Sequence, residues 1–526
     1  MNAKLIIYRK EKIQNYESLK QLCLLMNIEI ILLNEQMTQN KVKDILNKKI
    51  KKTKVLTPAV KIAGMMPGKI GGLVNKAFGN NCYAYKISVY SGVNYQKNTL
   101  KQSIIRTEEK ENIDSSEEDS HTSASDEKKH ILVISQYFYP ETFRINDMCQ
   151  EWVKRGYKVT VITGIPNYPM GKFFDGYGYT KKRKEIWNGI NIVRIPLIPR
   201  GKTSIGMVAN YLSFVASGYI VNIFTDVKAD YVFTFEVSPM SQALIGCWYA
   251  KKHHVPHYLY VQDLWPENVI TVTGISNPVI IKPINKMVDY IYANSDQIFT
   301  TSPSFAETIC SRLVKVNQKK VHYWPQYAEE FYHPCERKMI KEIPDDDSFK
   351  VIFTGNIGTA QGLEILPKAA ELLKEENIKF VIVGDGRYLK EFNNEIKQRK
   401  VQKKFIMIPR QPAERIPELL CACDAAFLSF QNDPLWKKTI PAKLQSYMAC
   451  GMPIIASAEG ETERVIKKAN CGVCCKIGDV DGLSDCIRKL ADQDISKMAD
   501  NSRRYFEKYF SKQNLMDEMD TFFNKY

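Results

Sequence analysis

The sequence lacks the paired cysteines of a metal site. Its 13 cysteines are an odd number, and the closest sets are Cys421 with Cys423 and Cys471 with Cys474 and Cys475. Structural zinc sites usually need four thiolate or imidazole ligands in closely spaced pairs, and no partner cluster accompanies these residues. We therefore predict reduced, mainly structural thiols in a reducing compartment and no bound metal.

Long hydrophobic runs are also missing. The longest, 211–224 (YLSFVASGYIVNIF), has 14 residues and contains Ser213, Ser217 and Asn222, whereas a membrane-spanning helix needs about 20 apolar residues. We expect either a helix packed in a core or a helix lying on a membrane surface. The N-terminus shows no basic, apolar and small-residue pattern of a secretory signal, so we expect a cytoplasmic protein.

The overall composition is that of a multidomain globular protein. The 526 residues are 44% hydrophobic and 25% charged, with 27 Gly and 23 Pro. These values exclude collagen, a disulfide scaffold and disorder along the whole chain. At about 100–200 residues per domain, the length predicts three or four structural units.

The net charge of +16 is concentrated at the N-terminus. Residues 1–106 contain 19 Lys and Arg against 5 Asp and Glu, whereas residues 107–129 contain 3 against 9. The acidic stretch has one large apolar residue, Ile113, so we predict a disordered linker. The basic unit suits an anionic membrane surface, nucleic acid or a solvated helix face. Its tyrosines match no RNA-binding pattern, and we expect no nucleic-acid partner.

The periodicity predicts α/β structure in three parts. In the basic unit, strands are expected at 4–8 and 28–33 around a helix at 16–26. From His130, short apolar runs such as HILVIS and YKVTVIT alternate with helices, a pattern typical of parallel strands buried on both faces. We predict two Rossmann-like domains facing a cleft, at 130–335 and 348–500, with a final helix at 501–526 returning to the first domain.

Several turns at strand ends suit a diphosphate. In the second domain, GNIGTAQGLE follows the first strand and leads into a helix near Leu363, and VGDG contains Gly384 after the second strand. In TIPAKLQSYMACG we expect Thr439 as the N-cap, Pro441 in the first turn and Lys443 one turn in. Glycines admit a phosphate close to the backbone, and helix N-termini favour anions. Each turn taken alone is equally consistent with an ordinary structural turn or a capped helix.

Ten segments in a fixed order resemble glycosyltransferase family 4, which has the GT-B fold. More narrowly, they resemble the bacterial capsule and O-antigen transferases of the L-fucosamine type. The resemblance covers about 130–515 and rests on QYFYPETFRIND, TGIPNYPMGKFFDGY, IPLIPRGK, NYLSF, QDLWPE, TSPSFAE, WPQYAE, GNIGTAQGLE, VGDG and IPAKLQSYMACGMPI.

The resemblance implies that the second domain binds a nucleotide sugar. Asn356 and Gln361 stand where many members carry Arg and Lys, and Lys438 and Ser446 stand where the family has two glutamates. The absence of these carboxylates removes negative charge beside a diphosphate. Lys443, with Arg410 or Lys438, is expected to supply the positive charge that is lost at Asn356 and Gln361. The expected donor-binding residues are Gly355, Asn356, Gln361, Gly384, Arg410, Thr439, Lys443 and Ser446.

The first domain is expected to bind the acceptor. Arg144 would pair with phosphate charge, or form a surface ion pair. Gln262-Asp263 stands where many relatives have His-Asp, and Asp263 would orient a sugar hydroxyl or cap the helix after Pro266. Arg144 and Asp263 are the expected catalytic residues, and the expected acceptor-cleft residues are Glu141, Asn167, Tyr168 and Glu267. A rigid turn explains the Pro-Asn-Tyr-Pro segment around Asn167 almost as well.

The expected activity is metal-independent transfer of a hexose or aminosugar with retention of configuration. By resemblance, the donor is a nucleoside-diphosphate sugar, with UDP favoured, and the acceptor is a sugar on a polyprenyl diphosphate at the inner face of the cell membrane. No cofactor is expected, and the second domain has no D-x-D metal motif. Two alternatives stay open: a nucleotide-sugar epimerase, and a catalytically silent scaffold that binds through the basic N-terminal unit.

Overall fold

The computed structural model describes residues 3–8, 28–33, 129–312 and 318–525. The described chain divides into two compact units. The smaller unit contains the described residues up to His130, with Trp152–Lys158 and Thr163–Ala229. The larger unit contains Ile131–Glu151, Val159–Ile162 and the described residues from Asp230 onwards.

The N-terminal segment contributes two paired strands. Strands β1 (Ala3–Tyr8) and β2 (Ile28–Leu33) are parallel, with Ala3 opposite Ile28 and Tyr8 opposite Leu33. Both predicted strands are confirmed. The helix predicted at 16–26 and the linker predicted at 107–129, apart from Lys129, lie outside the described residues.

The first large sheet follows from buried apolar runs. Its parallel strands in the larger unit lie in the order β10-β9-β8-β7-β3-β4. Every residue of β3, β7 and β8 is buried, as expected for strands covered on both faces. The strands are β3 (His130–Ile134), β4 (Lys158–Gly164), β7 (Tyr231–Glu236), β8 (His257–Val261), β9 (Gln297–Thr300) and β10 (Val321–Tyr323).

Five helices accompany these strands. Asn277 caps one of them, since its side chain accepts a hydrogen bond from the backbone N of Val279 at 2.9 Å. The helices are α1 (Arg144–Lys154), α3 (Ala243–His253), α4 (Glu267–Thr273), α5 (Pro278–Ala293) and α6 (Pro303–Arg312).

The smaller unit contains a hairpin and a long helix. Strands β5 (Lys184–Trp187) and β6 (Ile190–Ile195) pair antiparallel. Helix α2 (Ser204–Phe224) is capped by Thr203, whose Oγ1 accepts from the backbone N of Gly206 at 3.1 Å. At 21 residues it is the one helix of the described chain that is long and apolar enough to cross a membrane. The expectation of a segment too short to span is therefore wrong, because the helix begins seven residues before the apolar run.

The second large sheet has six parallel strands. Their order is β13-β12-β11-β14-β15-β16, the doubly wound arrangement in which the strand order reverses beside the first strand. Val351 of β11 pairs with Phe380 on one side and Ala425 on the other. The strands are β11 (Phe349–Asn356), β12 (Ile378–Asp385), β13 (Phe405–Ile408), β14 (Ala425–Ser429), β15 (Ile454–Ser457) and β16 (Gly472–Cys475).

Helices cover this sheet and form its core. Side chains such as Phe353, Phe380 and Phe427 are fully buried against them. The two parallel sheets with their helices make two α/β domains, as predicted. The helices of the second domain are α7 (Ile365–Leu372), α8 (Leu389–Gln398), α9 (Ile416–Cys421), α10 (Pro434–Lys437), α11 (Ala442–Ala449), α12 (Glu461–Ala469) and α13 (Val480–Ala491).

Two helices end the chain, α14 (Ser496–Tyr509) and α15 (Lys512–Phe523). Helix α14 packs on α11. In α15, the ring of Phe523 stacks 5.0 Å from that of Tyr231 in β7, and the Tyr258 hydroxyl of β8 donates to the carbonyl of Phe522 at 3.1 Å. The last helix therefore covers strands of the first sheet.

Candidate functional site

The carboxyl ends of β11 and β12 meet in a tight double turn. Gly384 has a φ of +153°, and a side chain there would collide with the carbonyl of Gly355, whose own φ is +126°. The backbone N of Ile357 donates to the carbonyl of Asp385 at 2.9 Å and holds the two turns together. Only glycine fits at position 384. The two predicted glycines, Gly355 and Gly384, lie side by side because they pair between β11 and β12.

A lysine from α11 reaches this double turn. The Lys443 Nζ donates to the Gln361 Oε1 at 2.5 Å and lies 4.0 Å from the centre of the Phe353 ring. A Cβ added to Gly355 would lie 3.8 Å from the same Nζ. Three predicted donor-binding residues, Gly355, Gln361 and Lys443, therefore form one group, which we call the Lys443 group. It lies beside the point where the strand order reverses, between β11 and β14.

The Lys443 ammonium group has an unusually low pKa. Although Lys443 as a whole is half-buried, burial of its ammonium group lowers its pKa to about 7. A lysine with a pKa near 7 is only partly protonated at neutral pH. An incoming anion stabilises its protonated form, because an opposite charge nearby favours the charged state. The group is therefore suited to receive a phosphate.

Thr439 does not cap helix α11. The N-cap is Pro441, and the Thr439 Oγ1 instead donates to the carbonyl of Leu435 at 3.0 Å. The carbonyl of Thr439 accepts from the Thr462 Oγ1 at 2.9 Å. The predicted cap is wrong, because Thr439 is used to join the end of α10 to α12.

Lys438 and Ser446, which stand at the two glutamate positions, both make hydrogen bonds outside the Lys443 group. The Lys438 Nζ donates to the Thr308 Oγ1 of α6 at 3.0 Å, and the Lys438 carbonyl accepts from the Ser302 Oγ at 2.6 Å. Ser446 is buried, and its Oγ donates to the carbonyl of Ala442 at 3.3 Å.

Two other predicted donor residues lie at the surface. Arg410 is exposed in the loop after β13, two strands away from β11. Asn356 is exposed at the end of β11, and its side-chain amide folds over Gly358. Of these two, only Asn356 lies next to the Lys443 group, because it directly follows Gly355.

Asp263 is held by hydrogen bonds, mainly from Ser238, and does not cap a helix. Its Oδ2 accepts from the backbone N of Ser238 at 2.8 Å and from the Ser238 Oγ at 2.7 Å. Burial raises the pKa of the Asp263 carboxyl, and the hydrogen bonds from Ser238 and Asn268 oppose this shift. Helix α4 begins at Glu267 with Pro266 as its N-cap, so Asp263 does not occupy the capping position.

Glu236 is a site residue that the sequence argument missed. It ends β7 with no solvent exposure, and its Oε2 accepts from the backbone N of Asp263 at 3.4 Å. Its Oε1 is buried and has no hydrogen-bond partner among the described residues. Burial, together with the charge of Asp263, raises the pKa of Glu236 well above its usual value. The sequence signal for Glu236 is an acidic residue at the end of the apolar run YVFTFE. Because β7 and β8 end at the same edge of the sheet, that residue is expected to lie near Asp263.

Arg144 forms an ion pair. Its Nη2 lies 3.3 Å from the Glu329 Oε2, and its guanidinium lies 5.3 Å from the centre of the Tyr327 ring. The Nη1 is buried and has no hydrogen-bond partner among the described residues. Arg144 is thus anchored on one side and keeps one buried donor for another group.

The other predicted acceptor residues differ in exposure. Glu141 is buried, and its Oε2 accepts from the backbone N of Phe138 at 3.3 Å. Glu267 is half-buried, and its Oε2 has no hydrogen-bond partner within the described ranges. In the smaller unit, the buried Asn167 accepts from the backbone N of Arg200 at 3.0 Å, whereas Tyr168 is exposed. Asn167 therefore shapes its loop, and Tyr168 is the accessible side chain.

No cluster of three or more His, Cys, Asp or Glu side chains that could hold a metal ion occurs in the described part of the chain. The 11 cysteines in this part are all free thiols.

One family model matches the chain at residues 336–513, and its description is glycosyl transferases group 1. The matched segment includes the whole Lys443 group. The probable glycosyltransferase WbjE of Pseudomonas aeruginosa is 24% identical over 264 residues, which cover 48% of this chain and 64% of that protein. The putative colanic acid biosynthesis glycosyl transferase WcaI of Escherichia coli (strain K12) is 24% identical over 410 residues, covering 73% of this chain and 97% of that protein.

Solved structures share the fold of both α/β domains. Sucrose-phosphate synthase from Thermosynechococcus elongatus has a TM-score of 0.60 at 14% identity, covering 76% of this chain and 99% of that one. HepE of Anabaena in complex with UDP has a TM-score of 0.56 at 13% identity, covering 76% of this chain and 100% of that one.

Proposed function

We propose that this chain, which has the GT-B fold and matches the glycosyl transferases group 1 family at 336–513, is a retaining sugar transferase. Its donor is a nucleoside-diphosphate hexose or aminosugar, with UDP as the preferred nucleotide. Its acceptor is a sugar on a polyprenyl diphosphate, used in capsule or O-antigen synthesis at the inner face of the cell membrane.

The observation that carries this proposal is the Lys443 group. It combines a buried cation, a side-chain amide and a glycine turn at the carboxyl ends of β11 and β12. Ligands of doubly wound sheets bind at this edge, where the strand order reverses. HepE, which shares the fold, is in complex with UDP, and this likeness supports UDP over other nucleotides.

The proposed chemistry needs a stabilised leaving group. The bond between the sugar C1 and the diphosphate oxygen breaks, and a bond forms between C1 and the acceptor hydroxyl oxygen on the same face. The departing phosphate oxygen takes the hydroxyl proton. Lys443 and the amides at the start of α11 face the charge that develops on the diphosphate, a contribution that is usually large. The reaction in this form uses no cofactor and no metal ion.

The first domain holds the acceptor in this proposal. Asp263, fixed by Ser238, accepts a hydrogen bond from a sugar hydroxyl. Arg144 offers its buried Nη1 to a phosphate oxygen of the carrier. Holding both substrates in line removes much of the entropic barrier of a bimolecular reaction.

Thermal unfolding of the full chain with UDP, GDP, ADP or buffer tests the donor site. A ligand at 100 times its Kd adds about 2.7 kcal/mol to the stability of the state that binds it. We expect the UDP shift in the natural protein and in Lys497→Ala, an exposed lysine of α14, and its loss in Lys443→Ala. A shift that survives in Lys443→Ala would remove the Lys443 group from the site.

One observation favours a second candidate, a catalytically silent binding protein. Lys438 stands at the place of a glutamate and is bound to α6 through Thr308. This candidate predicts no turnover of UDP-sugars with any lipid-linked acceptor. Incubation of the protein with the donor but no acceptor tests the epimerase alternative. An epimerase would give an epimerised UDP-sugar and no free UDP.

A further inference from the structure

Helix α2 reverses the usual burial pattern of a surface helix. Its buried side chains include Asn210, Ser217 and Asn222, whereas Ile205, Leu212 and Val208 are 83%, 64% and 50% exposed. The exposed residues are spaced by three and four positions and therefore lie on one face. A helix that buries amides and exposes branched aliphatic side chains is not arranged for contact with water.

The polar face of α2 is attached to the rest of the smaller unit. The Asn210 Nδ2 donates to the carbonyl of Ile198 at 2.6 Å, and the Ser213 Oγ accepts from the backbone N of Ile198 at 2.8 Å. Crossing a bilayer would break these bonds and surround the amides with hydrocarbon, where unpaired polar groups are costly. The helix is long enough to span, but its contacts favour a position in the membrane interface.

Neighbouring loops extend the exposed apolar surface. Met170 is 52% exposed and Tyr168 is 38% exposed. The Arg200 guanidinium joins the Tyr168 loop to the helix, since it lies 5.4 Å from the centre of the Tyr168 ring and 5.9 Å from that of Tyr211 in α2. The loops that contain Tyr168 and Arg200 are joined, because the backbone N of Gly201 donates to the carbonyl of Gly171 at 2.9 Å. We call Tyr168, Met170, Ile205, Val208 and Leu212 together the α2 surface.

The charge around the α2 surface has one sign. Residues 204–224 contain no charged side chain, whereas residues 163–229 contain 9 Lys and Arg against 3 Asp and Glu. Lys172 and Lys202 are exposed on the two loops, and the Arg200 guanidinium lies 5.4 Å from the centre of the Tyr168 ring. An apolar face with a cationic border complements a bilayer that contains anionic lipids.

We infer that the α2 surface binds an anionic lipid bilayer, with the axis of α2 in the plane of the interface. The biological role of this binding rests on the proposed function, since a polyprenyl-linked acceptor lies in the membrane. The predicted acceptor residues Asn167 and Tyr168 lie on the loop that belongs to this surface. Docking through α2 therefore brings that loop to the level of the lipid headgroups, where the sugar of the acceptor is presented.

Flotation of the full chain with vesicles tests the surface. We expect binding to phosphatidylcholine vesicles that contain phosphatidylglycerol, and weaker binding at high salt. The double variant Ile205→Glu, Leu212→Glu should bind about 10-fold or more weakly, because both carboxylates would enter the apolar interface. Met339→Glu changes an equally exposed apolar residue, 82% exposed, and should bind like the natural protein. Equal binding by all three proteins overturns the inference and assigns lipid binding to another part of the chain.

A depth measurement gives a second readout. Brominated lipids quench tryptophans that enter the bilayer, so Leu212→Trp should gain a quenched emission component that Met339→Trp lacks. Equal quenching in the two variants contradicts insertion of α2. Release of the protein by alkaline carbonate supports an interfacial helix, and retention in the membrane pellet contradicts it.

Failure of this inference is separable from failure of the proposed function. The double variant should keep the UDP-dependent shift in thermal unfolding, since α2 contributes nothing to the Lys443 group. Loss of vesicle binding with an intact UDP shift supports the inference. Vesicle binding that stays unchanged, with or without a UDP shift, overturns it.

Discussion

At the scale of single residues, the chain places its cation differently from the family that its sequence resembles. The resemblance puts Arg and Lys at 356 and 361, where this chain has two amides. The positive charge comes instead from Lys443, which reaches across from α11 and touches Gln361. The charge beside the glycine turn thus comes from α11, and the donor is expected to meet one buried cation there.

The pKa of Lys443 makes donor affinity depend on pH. Because burial lowers this pKa to about 7, the ammonium is present below pH 7 and lost above it in the empty protein. A bound diphosphate favours the protonated form, so binding above pH 7 must take up a proton. We expect the Kd for UDP to be nearly constant below pH 7 and to rise toward about tenfold per pH unit above it.

Titration calorimetry in buffers of different ionisation enthalpy measures both the Kd and the proton uptake. The variant Lys443→Met should bind weakly and with no pH dependence between pH 7 and 9. Lys497→Met, changed at an exposed position of α14, should behave like the natural protein. A pH-independent Kd in the natural protein would show that Lys443 does not face the diphosphate.

Glu236 predicts a change in folding stability with pH. Its pKa is raised by burial and by Asp263, so the folded state keeps a proton that the unfolded state has lost. The unfolding free energy should therefore fall as pH rises from the ordinary carboxyl pKa through the raised one. In Glu236→Gln, which mimics the neutral acid, this part of the decline should be absent.

Urea unfolding of the natural protein and Glu236→Gln between pH 5 and 8 measures the difference. Glu336→Gln, at an exposed carboxyl, controls for the loss of one acidic group. The same pH slope in all three proteins would mean that Glu236 ionises normally in the folded state.

At the scale of elements, most strands of the two sheets could be predicted because parallel strands covered on both faces appear as short apolar runs. The run 350–354 (KVIFT) predicts the first strand of the second domain, and β11 extends it to Phe349–Asn356. The extension depends on pairing of Gly355 and Asn356 with Gly384 and Asp385, which no local pattern encodes. Helix α2 was underestimated because its first seven residues, 204–210, precede the apolar run from which it was predicted.

The site could be predicted in part for the same reason. The glycine turn and Lys443 belong to local motifs, and their meeting follows from the strand order. Glu236 and the partner of Thr439 depend on which strands and helices lie side by side, and composition carries little information about that. The roles of all these residues in binding and turnover stay predictions.

Helix α15 is expected to stabilise the first sheet strongly. Phe523 is fully buried, and its ring lies 5.0 Å from Tyr231 and 5.1 Å from Tyr258. Phe523→Ala removes these contacts and leaves a cavity, which typically costs about 3–5 kcal/mol. Tyr509→Ala, at an exposed aromatic residue near the end of α14, should cost much less. Urea unfolding of both variants checks the difference, and similar losses would contradict docking of α15 on the sheet.

At the scale of the whole molecule, elements of the two α/β domains meet within the larger unit through polar contacts and through Leu435, which packs in a hydrophobic cluster of the first domain. The Ser302 Oγ donates to the Lys438 carbonyl at 2.6 Å, and the Thr271 Oγ1 donates to the Asp433 Oδ1 at 3.0 Å. Interfaces between domains of one chain usually allow the domains to move relative to each other. Sugar transfer between two substrates held by different domains requires such closure to exclude water.

Glu461 is the contact best placed to favour the closed arrangement. Its side chain is 2% exposed, and its Oε1 accepts from the Ser304 backbone N at 3.1 Å and from the Ser304 Oγ at 2.5 Å, at the N-terminus of α6. A carboxylate there stabilises the unpaired amides and the positive end of the helix dipole. Because this contact joins α12 of one domain to α6 of the other, it is made in this arrangement of the domains and is lost when they separate.

Replacing Glu461 should therefore slow turnover more than it weakens donor binding. In Glu461→Ala we expect the KM for the nucleotide sugar to change less than about twofold and kcat to fall by about 3–10-fold, since closure becomes less favourable. Glu463→Ala is the matched control, because Glu463 lies in the first turn of the same helix and pairs with Lys467. Steady-state kinetics and small-angle scattering with and without UDP separate the two effects. If both variants lose activity equally, the loss comes from the charge at the start of α12, and the contact with α6 has no part in closure.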